Sequence, residues 1–204
     1  LPAETLQRAR ALLAAGGRRL LVIVGEPGAG KSTLAACLAE ALGAAAVVVP
    51  MDGFHLANRE LQRLDRAGRK GAPDTFDAAG YAALLARLRR QRADETVYAP
   101  AFHREIEEPI AGEIPVPAQA SLVITEGNYL LLEEGPWREV RGLLDEAWFV
   151  DVEPARRHAQ LLARHMHFGR SREEALAWIE HTDEPNAVRI AASAGRADYR
   201  VSWG

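Results

Sequence analysis

Short apolar runs recur along the chain and are separated by longer segments in which apolar residues have a helical spacing. Four runs are rich in β-branched residues and lack polar alternation: Leu20–Val24, Ala46–Val49, Leu122–Thr125 and Ala147–Val150. Runs of this kind are typical of strands that are buried on both faces, as in a parallel sheet covered by helices. Tyr199–Trp203 is a fifth candidate strand near the end of the chain.

The segments between these runs predict helices on both sides of such a sheet. The predicted helices are Thr5–Ala15, Lys31–Leu42, Ala78–Gln91, Pro136–Leu144, Ala155–His167, Arg172–His181 and Asn186–Ala194. The alternation predicts a three-layer α/β fold, with a central parallel sheet of about five strands and helices on both faces.

One long interval interrupts the alternation between the second and third apolar runs. It spans about seventy residues, more than a single crossover helix requires. Within it, 96–102 and 108–116 carry prolines and mixed polarity, which favours a hairpin or flap over about 95–117 and not a second domain. Gly68–Pro73 is a polar, turn-rich loop of the kind that often carries binding groups. We therefore expect one domain over 1–204.

Composition and charge narrow the classes of partner. The chain has 204 residues and a net charge of −3, without the basic surplus that nucleic acid or anionic membrane partners usually require. No apolar run approaches the roughly 20 residues of a membrane span, and no signal-peptide pattern stands at the N-terminus. We expect a cytoplasmic protein that binds no nucleic acid and no membrane.

The strongest motif is a glycine-rich loop, GEPGAGKS, at Gly25–Ser32. It fits the spacing G-x-x-x-x-G-K-[ST], with a β-branched strand before it and a helical pattern after it, so the predicted α/β fold is of the P-loop NTPase type. Glycines let backbone N–H groups curl around phosphates, Lys31 reaches the β- and γ-phosphates, and the Ser32 hydroxyl is placed to bind Mg²⁺. The predicted nucleotide site comprises Gly25, Glu26, Pro27, Gly28, Ala29, Gly30, Lys31, Ser32 and Thr33.

Two acidic residues follow predicted strands, at the carboxyl ends where ligands of open α/β sheets collect. Asp52 is placed to accept a hydroxyl proton or to hold a metal through water, although a turn or helix-cap residue is the alternative. Glu126 ends an apolar strand, and burial without a cation partner would be costly. It is either a metal-site carboxylate or half of a structural ion pair with an arginine.

Three further motifs give a specific resemblance: MDGFH at 51–55, KGAPDTFD at 70–77 and TEGNYLLL at 125–132. Together with the phosphate loop they resemble the uridine kinase, phosphoribulokinase and bacterial pantothenate kinase group. The likeness covers nearly the whole chain and is greatest to a bacterial branch labelled nucleoside/nucleotide kinase-like or fructose-transport kinase. The resemblance implies ATP and Mg²⁺ as cofactors, Asp52 as the base, and Ser32, Glu126 and Asp52 near the metal.

The same resemblance implies a lid and an acceptor site for a small hydroxylated metabolite. Arg164 and Arg170 would belong to a lid over about 163–172 that closes on the phosphates, and with Lys31 and Asp52 they are the candidate catalytic residues; a solvated helix face is the alternative for the arginines. The candidate acceptor contacts, each of which is open to a packing role, are Asp52, His55, Asp74, Phe76, Tyr98, Phe102, His103, Arg104, Glu126 and Asn128. A fructose-like sugar is the first expected acceptor, before a nucleoside or pantothenate, and a homodimer is possible.

The sequence departs from the pattern of the similar branch at two positions, and two other functions compete with that of a kinase. His103 stands where the similar branch has an acid, and Ala194 where it tends to have an arginine that Arg196 would have to replace. A nucleotide-hydrolysing switch would use the same loop, but a guanine-reading N/T-K-x-D element is missing from the sequence. A degenerate nucleotide-binding regulator is suggested only by the two departures.

Overall fold

The computed structural model describes residues 1–202, and a five-stranded parallel sheet lies at its centre. The described residues form seven strands, five of which belong to this sheet. They are β1 (Arg19–Val24), β2 (Ala46–Pro50), β3 (Thr96–His103), β4 (Glu108–Pro117), β5 (Leu122–Gly127), β6 (Glu146–Asp151) and β7 (Tyr199–Ser202). The central sheet has the order β2-β5-β1-β6-β7, and β3 and β4 form a separate pair. The predicted α/β class and its five core strands are confirmed, while Trp203 lies outside the described residues.

The central strands are buried on both faces, as their apolar composition predicts. Leu20 and Val22 of β1 pack into the core on one face of the sheet. Leu21 and Ile23 of the same strand pack into the core on the other face. Because side chains alternate across a strand, a strand between two layers of helices needs apolar residues at every position.

The helices lie where the apolar spacing predicts them, with two exceptions. They are α1 (Ala3–Ala14), α2 (Lys31–Leu42), α3 (Asn58–Arg63), α4 (Ala78–Arg89), α5 (Pro154–His167), α6 (Arg172–Trp178) and α7 (Glu184–Ala192), and a π-helical turn at Ile179–Asp183 joins α6 to α7. The six residues of α3 are too few to show a helical period. Of the described residues, no helix is long and apolar enough to cross a membrane.

The prediction of a helix over Pro136–Leu144 is wrong. The structure has two 3₁₀ turns there, Gly135–Glu139 and Arg141–Leu143. Trp137, Val140 and Leu144 are the buried apolar residues of the segment, and the i, i+3 spacing of the first two suits a 3₁₀ turn. Trp137 Nε1 also donates to the Pro73 carbonyl oxygen at 3.1 Å, which fixes the segment by a tertiary contact.

The predicted hairpin is present and packs against the core on one face of the central sheet. β3 and β4 pair antiparallel with a register shift between Ala99 and Ala101, around Pro100, which has no N–H to donate to the ladder. Val97 and Ala99 of β3 and Val116 of β4 are fully buried in the core. We call this hairpin the flap; its turn, at 104–107, carries Arg104, which contacts Asp52 just beyond the carboxyl end of β2.

Candidate active site

The phosphate loop joins the carboxyl end of β1 to the start of α2. Gly28 and Gly30 have φ values of +83° and +82°, which L-residues with a side chain rarely adopt. Lys31 is 8% exposed and its ammonium group donates to the Glu26 carbonyl oxygen at 2.9 Å. Burial lowers the pKa of Lys31 to about 8, although Glu126 opposes the shift. The loop thus combines a backbone cradle with a shielded cation, which fits a nucleoside triphosphate.

Two adjoining cavities open at this edge of the sheet. The first, about 870 Å³, is lined by the phosphate loop together with Arg156 and Gln160 of α5, and we call it the nucleotide cavity. The second, about 490 Å³, lies between the flap and the α5–α7 region, and we call it the acceptor cavity. The residues common to both walls are Lys31, Ser32, Arg104 and Arg164.

Asp52 and Glu126 come together where β2 and β5 end. The two strands pair in parallel through Pro50 and Glu126, so the 3₁₀ turn Met51–Phe54 begins beside Glu126. Both acids line the acceptor cavity. Burial, reinforced by the negative charge of Asp52, raises the pKa of Glu126, while Lys31 opposes the shift.

The Ser32 hydroxyl and the Glu126 carboxylate lie close enough to bind one metal ion together with phosphates. Ser32 Oγ donates to Glu126 Oε1 at 3.0 Å. Among residues 1–202 the structure has no cluster of three or more potential metal ligands of the His, Cys, Asp and Glu types. Mg²⁺ in phosphoryl-transfer sites usually binds one or two carboxylates and takes its remaining ligands from phosphates and water, so the residues present fit this ion.

His55 fills an aromatic slot in the wall of the acceptor cavity. Its ring centroid lies 4.0 Å from that of Phe76 and 4.6 Å from that of Phe102. Burial lowers the pKa of His55 to about 4, and Lys70 and Arg104 act in the same direction against Asp52. The imidazole is therefore neutral at physiological pH and occupies the space between the two phenyl rings.

Lys70 lines the acceptor cavity, although the sequence alone did not indicate a role for it. Its side chain is 13% exposed, and its ammonium group donates to Asn58 Oδ1 at 2.7 Å and to the Glu107 carbonyl oxygen. Glu107, in the flap turn, has a φ of +53°. Lys70 is the first residue of the KGAPDTFD motif, so the motif could have pointed to it. Its contact with Glu107 of the flap is visible only in the folded chain. The other lining residues that the sequence did not single out include Asn58, Tyr129, His165, Phe168, Trp178, Thr182, Asp183 and Asn186.

The two predicted lid arginines both reach the cavities. Arg164 lines both of them, and burial, with Arg104 nearby, lowers its pKa. Arg170 lines the acceptor cavity, and its guanidinium carbon lies 3.8 Å from the centroid of the Trp178 ring. Asn128, at the end of TEGN, also lines the acceptor cavity.

Three of the candidate acceptor residues line neither cavity. Asp74 pairs with Arg69 and Arg66 on the surface, and Tyr98 is 58% exposed on the flap. His103 lies 2.6 Å from Glu113 across the hairpin. Asp74 and His103 are explained by local pairing, and Tyr98 lies on the exposed face of the flap.

The two departures from the family pattern also lie away from the cavities. His103 is accounted for by its contact with Glu113. Ala194 is buried, and Arg196 Nε lies 3.5 Å from a Glu133 carboxylate oxygen. Ala194 and Arg196 line neither cavity, so the structure does not connect them to nucleotide binding.

Comparison with known proteins matches residues 20–201 to the model of the phosphoribulokinase / uridine kinase family. A Silicibacter sp. TM1040 crystal structure, provisionally named a fructose transport system kinase, is 39% identical, with a TM-score of 0.83 and coverage of 92% of this chain and 90% of that one. A Schizosaccharomyces pombe protein provisionally named a uridine kinase is 37% identical over 92% of this chain and 83% of its own length. The Saccharomyces cerevisiae protein YFH7, at 17% identity, a TM-score of 0.80 and coverage of 92% and 93%, shares the fold.

Proposed function

The chain belongs to the phosphoribulokinase / uridine kinase family, and from this premise we propose that it transfers the γ-phosphoryl group of ATP to a hydroxyl group of a small metabolite, with Mg²⁺ as cofactor. One observation carries the proposal. The phosphate loop and the carboxylates of Asp52 and Glu126 border two adjoining cavities that share Lys31 and Ser32 in their walls. A nucleotide in one cavity would therefore present its terminal phosphate to an acceptor in the other.

The phosphate side of the reaction is carried by cations and backbone amides. Lys31 and the loop N–H groups hold the β- and γ-phosphates. Bound Mg²⁺ would neutralise phosphate charge, with Ser32 and Glu126 as its protein ligands. Arg164 and Arg170 stabilise the charge that develops on the transferring group as the lid segment 163–172 closes.

The acceptor side needs a group that takes the hydroxyl proton. The acceptor oxygen forms a bond to the γ-phosphorus, the bond from that phosphorus to the β,γ-bridging oxygen breaks, and the hydroxyl proton passes to Asp52. ADP leaves with the electron pair of the broken bond. Asp52 suits this role because it lines the acceptor cavity beside Glu126 and 3.0 Å from Arg104.

A fructose-like sugar is the first acceptor that we propose, ahead of nucleosides and pantothenate. His55 already stacks between Phe76 and Phe102, which leaves no open slot between those rings for a nucleobase. Polar groups around Asp52, including Asn128 and Lys70, suit the hydroxyls of a sugar. The Lys70 ammonium group would also suit the carboxylate of pantothenate, which keeps that compound in the test.

The proposal is tested by ADP release from Mg-ATP against a panel of sugars, nucleosides and pantothenate, with Lys31→Ala as the blank. Release that requires one acceptor and is lost in the blank establishes the kinase and identifies its substrate. Steady release that is indifferent to every acceptor favours the nucleotide hydrolase. Nucleotide binding without release in any mixture favours the regulator.

A further inference from the structure

Arg157 is a buried arginine in the first turn of α5 that bridges two carboxylates from different parts of the chain. Its side chain is 7% exposed, and its Nε lies 2.8 Å from Glu26 Oε2 in the phosphate loop. Its Nη2 donates to both carboxylate oxygens of Glu184, at 2.6 and 2.8 Å, where α7 begins. Such pairing is required because an uncompensated buried charge is strongly destabilising. The planar, forked guanidinium suits two carboxylates at once.

The contact between Arg157 and Glu26 fastens α5 to the phosphate loop. Arg157 Nη1 donates to the Pro27 carbonyl oxygen at 3.4 Å. The helix also lies so close to the loop that a Cβ on Gly28 would be 2.7 Å from Leu161 Cγ. Glu26 is bound through its side chain to Arg157 and through its backbone oxygen to the Lys31 ammonium group. A displacement of Arg157 therefore acts on the segment that orients the phosphate-binding lysine.

The contact between Arg157 and Glu184 joins α5 to the segment between α6 and α7. Glu184 directly follows the π-helical turn, whose last residue, Asp183, lies 2.7 Å from His165 Nε2 of α5. π-helical turns are rare in proteins, and those that do occur are often located at functional sites. α5 is thus tied to the π-turn region at two points, and Arg164 lies between them in the sequence.

We propose that Arg157 is a positioning residue that holds the phosphate loop in its nucleotide-binding conformation, and that Glu184 sets nucleotide affinity through it. Arg157 and Glu184 line neither cavity, so their influence on a bound nucleotide passes through Glu26. The inference rests on the proposed function only in that the phosphate loop binds adenine nucleotides; it is independent of the acceptor. Couplings carried by such side-chain networks change affinity by about 2- to 30-fold.

The test is the dissociation constant for Mg-ADP, measured by calorimetry, in Glu184→Gln. Loss of the carboxylate charge loosens Arg157, and we expect ADP to bind about fivefold more weakly. Glu180→Gln is the matched control, because Glu180 is exposed on the π-helical turn and the same charge is removed. Charge alone predicts the opposite sign, since removing a negative charge near the phosphates tightens binding.

A second variant shows whether Arg157 carries the effect. In an Arg157→Met background, Glu184→Gln should produce no further change in the dissociation constant. Equal or tighter binding in Glu184→Gln than in Glu180→Gln overturns the inference, as does a lowered Tm with unchanged ADP affinity. If the parental chain binds no ADP, this inference and the proposed function both fail. If it binds ADP but phosphorylates no acceptor, only the proposed function fails.

Discussion

Arg104 Nη2 donates a hydrogen bond of 3.0 Å to Asp52 Oδ2, so the flap pairs a cation with the carboxylate that we propose as the base. Arg104 lies at the flap turn, and its side chain lines both cavities. While this pair persists, one carboxylate oxygen of Asp52 is engaged and its charge is partly balanced. Asp52 Oδ1 stays available to an acceptor hydroxyl, and opening of the pair would free Arg104 to turn toward the phosphates.

Arg104→Gln should therefore uncouple ATP consumption from acceptor phosphorylation. Without the guanidinium, both carboxylate oxygens of Asp52 are open to water in the absence of acceptor, and the transferring phosphate loses a nearby cation. We expect the ratio of ADP released to acceptor phosphorylated to rise, while kcat for transfer falls by about 10- to 100-fold. The exposed Arg92→Gln is the control. A variant that loses transfer but keeps the parental ratio would show that Arg104 does not shield the base.

Asp52→Asn should spare nucleotide binding and reduce turnover. A general base of this type contributes about 10²- to 10⁴-fold in rate, and the amide retains the shape of the side chain but cannot take the proton. We expect the dissociation constant for Mg-ADP to stay within a factor of about 3 while kcat falls by about that 10²- to 10⁴-fold. Asp74→Asn is the matched control, because Asp74 lies outside both cavities and should retain parental turnover. Near-parental turnover in Asp52→Asn would exclude Asp52 as the base.

The pKa of Lys31 predicts the alkaline limb of the pH profile. Because burial lowers this pKa to about 8, the free enzyme loses the Lys31 charge as the pH rises through that value, well before an exposed lysine would. We expect kcat/KM for ATP to fall about tenfold per pH unit above pH 8, since this parameter reports the free enzyme. Bound phosphates favour the charged lysine, so kcat should change little over the same range. The limb should disappear in Lys31→Arg, and its persistence there would assign it to another group.

The sequence predicted the parts of the fold that depend on local pattern. Continuous apolar strands such as Leu20–Val24 and the bounds of the Lys31–Leu42 helix are properties of neighbouring residues, and the structure confirms both. Pro136–Leu144 has the composition of a short helix, but its conformation is determined by the burial of Trp137 against a distant loop. A local pattern contains no information about that contact.

The candidate site, too, was most predictable where its residues are consecutive in the sequence. The phosphate loop was predictable because all of its groups are consecutive and each has a chemical requirement. Arg157 was not, because the helical pattern of α5 does not reveal which of its arginines faces inward. Its partners Glu26 and Glu184 are far apart in the sequence, and only the fold brings them together.

Gly28 offers a direct test of the close packing between the phosphate loop and α5. Its φ of +83° disfavours any L side chain, and a Cβ there would also lie 2.9 Å from the Arg157 carbonyl oxygen. Gly28→Ala should lower the free energy of unfolding by about 2 kcal/mol and abolish measurable ADP binding, because either the loop or the helix must move. Gly68→Ala is the matched control, since a Cβ there meets nothing within 4 Å and its backbone has no positive φ. Thermal unfolding and calorimetry of both variants separate the two effects. Parental stability and ADP affinity in Gly28→Ala would mean that the loop and α5 are farther apart in solution, and the route from Arg157 to the nucleotide would lose its physical basis.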